Sequence, residues 1–135
     1  MGVELSKTAI DLGIVTNNGD AMVEFYRDVL GFVEEPSTPF PMGGTMYRLW
    51  CGESLIKIVV PEPAASQKPA PGAIAEATGY RYWTMRVSNL AEVMAQCEQA
   101  GAKVVVPVTE PRPGVVIGIV ADPDGNLVEF VTYAE

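Results

Sequence analysis

The chain has 135 residues, 48% of them apolar and 19% charged, with a formal net charge of −8. That size allows one domain with a real core, and the composition is that of an ordinary globular protein. The acidic balance and the lack of any basic stripe argue against nucleic acid or an anionic membrane surface as partner. The absence of histidine removes the commonest general base and the commonest metal ligand.

The opening stretch Met1-Gly2-Val3-Glu4-Leu5-Ser6-Lys7 has no signal-peptide core, and no apolar run reaches membrane-spanning length, so a cytoplasmic protein is expected. Cys51 and Cys97 lack metal-type spacing and are expected as free thiols. Residues 8–16 read as a strand with Leu12, Ile14 and Thr16 on one face and Asp11, Gly13 and Val15 on the other. Asn17-Asn18-Gly19-Asp20 forms a turn and a source of helix caps. Residues 21–30 carry Met22, Phe25, Tyr26 and Val29 at helical spacing, with Gly31 just past the end. A short strand over 32–35 and a Pro/Gly-rich loop over 36–45 follow. Residues 46–51 and 55–60 make a hairpin through Gly52-Glu53-Ser54.

Residues 61–79, with Pro61, Pro63, Pro69 and Pro71, form a linker. The order then starts over. Residues 80–87 are a strand. Asn89 and Glu92 fit a capping box ahead of a helix whose apolar stripe is Leu90, Val93, Met94 and Cys97, and Gly101 ends it. A short strand over 103–106 leads to a loop over 107–113 that carries Glu110 and Arg112. The last hairpin, 114–121 and 126–132, closes around Asp122-Pro123-Asp124-Gly125. Strand, helix and three strands therefore occur twice, an internal repeat by pattern, with modules over 1–60 and 80–135. The expected fold is α+β, two βαβββ modules paired into one open, cupped mixed sheet with the helices on its outer face.

Glu129 lies in the middle of the apolar run 127–131, and a strand that reads as buried does not carry a charge without a reason. Lys57 alternates against Ile56 and Ile58 as Glu129 does against Val128 and Phe130, so both charges point away from the apolar face.

Two phrases, Phe25-Tyr26-Arg27-Asp28-Val29-Leu30-Gly31-Phe32 and Asp122-Pro123-Asp124-Gly125-Asn126-Leu127-Val128-Glu129, resemble those of the vicinal oxygen chelate superfamily. That superfamily holds glyoxalase I, bleomycin-resistance proteins, extradiol dioxygenases, fosfomycin-resistance enzymes and methylmalonyl-CoA epimerase. The resemblance spans nearly the whole chain and implies the paired-module fold, a small-molecule ligand and, by family habit, a homodimer. The strand positions that supply His, Glu or Gln ligands to a divalent metal in the family look like Asp11, Lys57, Tyr82 and Glu129. This set departs from the metal pattern. The Lys57 ammonium has no lone pair, and Tyr82 would have to lose a proton with an ordinary pKa of about 10. The expectation is no cofactor, or at most a weak Mg²⁺ or Mn²⁺ held by Asp11 and Glu129.

The activity the resemblance then implies is a metal-independent isomerase or lyase acting beside a carbonyl. Asp11 or Glu129 is the base, with Lys57 and Tyr82 stabilising the oxyanion. Trp50, Arg48, Thr84 and Arg86 are the expected substrate contacts. The alternative is a sequestering protein of the bleomycin-resistance type. Missing metal ligands favour it, while Lys57 argues against a cationic ligand. A metal-dependent lyase comes third, and the two-histidine iron site of extradiol dioxygenases is nearly excluded. The bland counterpart is an ion network in which Lys57 neutralises Asp11 and Glu129 and does no chemistry.

Overall fold

The computed structural model describes residues 2–134; Met1 and Glu135, the outer ends of the expected modules, lie outside the described residues. The chain divides into two compact units, Met1–Gln67 and Lys68–Glu135. In the first unit, β1 (Leu12–Val15) leads to α1 (Gly19–Glu24), which runs straight into a π-type turn over Phe25–Val29. β2 (Val33–Pro39), β3 (Gly44–Cys51) and β4 (Ser54–Pro61) complete it. The second unit holds β5 (Tyr82–Arg86), α2 (Leu90–Gln99), β6 (Val104–Arg112), β7 (Val115–Ala121) and β8 (Leu127–Tyr133). Each unit is a four-stranded mixed sheet, ordered β1-β4-β3-β2 and β5-β8-β7-β6. The first strand of each runs parallel to the last, and the other pairs are antiparallel. The α+β repeat of βαβββ modules is thus what the strand and helix pattern implied.

Each helix buries one face on its own sheet. Met22, Val23, Phe25 and Tyr26 are buried with Leu49, Ile56 and Ile58 of the first sheet. Tyr26 stacks on Phe32 at 5.7 Å and meets Phe25 edge-on at 5.0 Å, so the aromatic pair of the first phrase is core. The expected helix end is reached by a wide turn in which the Leu30 amide donates to Phe25 O at 3.0 Å, and Gly31 takes φ +81°. In the second unit Leu90, Met94 and Cys97 are buried under α2. Gly118 is glycine there because a Cβ would stand 2.6 Å from Met94 Sδ.

The second phrase forms a turn caged by one buried carboxylate. Asp122 Oδ1 accepts the Asp124 amide at 3.0 Å, the Asn126 amide at 2.9 Å and Asn126 Nδ2 at 3.1 Å. The Gly125 amide donates to Asp122 O at 2.8 Å.

Several local expectations are corrected. β2 and β3 take in most of the expected 36–45 loop, leaving a short turn in which the Phe40 amide donates to Gly44 O at 2.9 Å. β6 absorbs the expected 107–113 loop, so Glu110 and Arg112 are exposed strand residues. β2 and β6 are the edge strands that carry Pro36, Pro39, Pro107 and Pro111. An edge strand tolerates proline because one side of its backbone needs no ladder partner. Neither helix has a side-chain cap. Asn89 Nδ2 meets Glu92 Oε2 at 3.4 Å, so the capping box does not form. Asn17 instead bonds the Ala65 backbone twice, at 3.0 and 2.9 Å.

No helix or strand lies between β4 and β5, yet the linker is held. The Arg81 guanidinium donates to the carbonyls of Ala70, Pro71, Gly72, Ala73 and Ile74, the shortest bond being 2.8 Å to Ala73. Among the described residues no helix is long and apolar enough to cross a membrane.

Candidate functional site

Each sheet has a face turned away from its helix, and register fixes what that face carries. In the first sheet Leu12, Ile14, Ile56, Ile58 and Leu49 take the helix side by alternation. Gly13 stands beside Lys57 on β4, Lys57 beside Arg48 on β3, and Arg48 beside Glu35 on β2. This row settles the side of Arg48, which no sequence pattern fixed. Trp50 lies on the same face, one step along, opposite Leu55.

Charges on this face are paired off, with one exception. Asp11 Oδ1 accepts Lys7 Nζ at 2.7 Å and the Leu55 amide at 2.8 Å. Lys7 also lies 5.0 Å from the Trp50 ring centroid. Arg48 pairs with Glu35 at 2.5 Å. Lys57 is half-buried and forms no ion pair among the described residues. On this sheet the expected network changes its closest partner: Asp11 forms its ion pair with Lys7, at i−4 in the irregular segment before β1, and Lys57 acts on it only through its charge at longer range.

The Lys7 hydrogen bond and then the Leu55 amide hold the Asp11 carboxyl below its ordinary value of 3.8, opposed by desolvation, with the charges of Lys7 and Lys57 adding to the lowering. A depressed carboxylate contributes stability above its unfolded pKa and loses it as pH falls through the folded value. Lys7→Ala is expected to raise the Asp11 titration toward 3.8 in a carboxylate NMR titration. An unchanged midpoint would show that Lys7 is not the partner.

In the second sheet Tyr82, Thr84 and Arg86 share the open face of β5, while Trp83 and Met85 turn inward. Thr84 is the register partner of Glu129, and its hydroxyl donates to Glu129 Oε1 at 2.6 Å. No other hydrogen bond to Glu129 forms among the described residues, so Oε2 keeps its lone pairs. Tyr82 is 53% exposed, one step along the same face. Arg86 lies 4.6 Å from the Tyr133 ring centroid.

Tyr82, Thr84, Arg86 and Glu129 are thus gathered on one sheet, and Asp11, Lys57, Arg48 and Trp50 on the other. Lys7, Glu35, Tyr133 and Arg81 are the contacts that the sequence did not reveal. Only the i, i+4 spacing of Lys7 and Asp11 could have hinted at one of them. Burial raises both thiols, Cys97 to about 11, so neither is poised as a nucleophile.

A divalent metal fits these groups poorly. One position presents an ammonium, and one Asp11 oxygen already accepts an ammonium and an amide.

The family model for the Glyoxalase/Bleomycin resistance protein/Dioxygenase superfamily matches residues 8–130. No curated protein sequence matches the chain. Among solved structures, it is similar to a glyoxalase family protein from Enterococcus faecalis. That pair shares 25% identity over 95% of this chain and 96% of the other, with a TM-score of 0.67. Lactoylglutathione lyase from Agrobacterium tumefaciens gives 22% identity, 95% and 96% coverage and 0.65. Trypanothione-dependent glyoxalase I from Leishmania major gives 20%, 95% and 87%, and 0.71. The likeness to these last two shows the fold alone.

Proposed function

The chain belongs to the glyoxalase/bleomycin resistance protein/dioxygenase superfamily, and we propose that it is a small-molecule isomerase or lyase that moves a proton beside a carbonyl without a metal. The observation that carries this reading is the Thr84–Glu129 hydrogen bond at 2.6 Å. It fixes one carboxylate oxygen and leaves the other free on an open sheet face, which is the posture of a general base. Asp11 is the poorer base, because its carboxylate is tied to Lys7 and the Leu55 amide.

In the proposed step Glu129 Oε2 takes the proton from the α-carbon. The C–H electron pair moves into the carbonyl and forms an enolate. The Tyr82 hydroxyl, on the same open face as Glu129, donates a hydrogen bond to the enolate oxygen. Return of the proton at a different face or atom gives an isomer. Loss of a β leaving group gives a lyase. The working state is taken as a cytoplasmic protein and, by the habit of the superfamily, a homodimer.

The test is a panel of 2-oxo acids and hydroxyketones incubated with the protein in D₂O and followed by proton NMR. The proposal expects a bound member to lose its α-proton signal. A panel in which bound ligands keep every α-proton would support the sequestering alternative.

A further inference from the structure

The two modules repeat the same register at their parallel strand pair, and the repeat exposes a difference. In the second module the residue beside the charged group is Thr84, whose hydroxyl meets Glu129. In the first module the matching residue beside Lys57 is Gly13, which offers no side chain. Glycine weakens a strand by about 0.5–1 kcal/mol relative to alanine, so its presence calls for a reason. Backbone conformation is not the reason, since Gly13 is absent from the glycines with positive φ. Packing is not the reason either, since a Cβ at Gly13 would meet nothing within 4 Å. Gly44 and Gly118, by contrast, are glycine because neighbouring atoms fill the space of a side chain. What remains is room for something that comes down onto the strand from outside.

The charges around that room have one sign left over. Lys7 is satisfied by Asp11 and Arg48 by Glu35, while Lys57 has no ion-pair partner among the described residues. A half-buried ammonium with an empty space beside it wants an anionic acceptor. We propose that Gly13 and Lys57 form a notch that takes a carboxylate of the ligand, the ligand supplying to Lys57 what Thr84 supplies to Glu129. This rests on the reading of the open faces as ligand-binding faces and names small carboxylates as the ligand class of the first sheet's open face.

The probe pair is pyruvate and pyruvamide, alike in shape and different in charge, followed by the backbone amide shifts of residues 13 and 57 and the side-chain shifts of Lys57. Pyruvate is expected to move these signals, and pyruvamide to bind about tenfold more weakly or worse, the scale of one charge-assisted hydrogen bond. Lys57→Met is expected to remove the preference for pyruvate. Gly13→Val is expected to block both probes with its melting temperature intact, and Gly13→Ala serves in its place if the larger side chain disturbs folding. Pyruvate that leaves residues 13 and 57 unmoved, or that binds Lys57→Met or the Gly13 variants as it binds the parent, overturns the notch. Proton exchange that persists while the notch fails overturns this inference alone. A notch that binds pyruvate in a protein exchanging no α-proton overturns the enzyme reading alone.

Discussion

Glu129→Gln is expected to lower α-proton exchange by about 10²–10⁴-fold, the usual contribution of one general base. Ligand affinity should stay within a few-fold. The amide matches the carboxylate in shape, and its oxygen can still accept the Thr84 hydroxyl that now lies 2.6 Å from Oε1. What it loses is basicity. The loss should therefore fall on kcat and leave KM nearly unchanged, as for an interaction needed only in the transition state. Thr84→Val keeps the base and frees its orientation, so a smaller fall is expected, partly restored by Thr84→Ser. Exchange in Glu129→Gln at the parent rate would move the base elsewhere. Equal loss of binding and exchange would make Glu129 a ligand contact.

Gly44→Ala is expected to cost about 2–6 kcal/mol, because strain at a glycine-only conformation and overpacking each contribute about 1–3 kcal/mol. Gly44 opens β3 with φ +106°, outside the range other residues adopt. A Cβ there would press on the Val60 carbonyl oxygen and stand 2.8 Å from Pro61 Cα and 2.9 Å from the Glu62 nitrogen. These are backbone atoms of the paired strand and its continuation, so no side chain can swing aside. Relief would have to open the Gly44–Pro61 end of the β3–β4 ladder, which carries the row containing Lys57 and Arg48. A fall in urea midpoint at unchanged m-value checks this. A loss under about 1 kcal/mol would mean that the turn relaxes freely. Gly13→Ala on the same sheet is the internal contrast, since its Cβ meets nothing.

What the sequence made legible were features with a local period or a local turn chemistry. The two helical stripes, the outward parity of Lys57 and Glu129 among buried neighbours, and the Asp122 turn all depend on residues close in the chain. The edge strands were hidden because prolines at 36, 39, 107 and 111 read as loop. Only the sheet order shows that they sit where an unpaired side is tolerated. The candidate site was legible in its positions and not in its pairings. Asp11 finds Lys7 in a segment with no periodicity. Arg48 needs the cross-strand register to meet Glu35. Arg81 binds backbone carbonyls, which leave no mark in the sequence.

Proton transfer by Glu129 needs no metal if the Thr84-held carboxylate is itself the base. Its most direct test is α-proton exchange on the bound panel member before and after exhaustive treatment of the protein with a chelator. The same rate is expected in both samples. A rate abolished by the chelator and restored by one of Mg²⁺, Mn²⁺, Zn²⁺, Fe²⁺ or Ni²⁺ would contradict it.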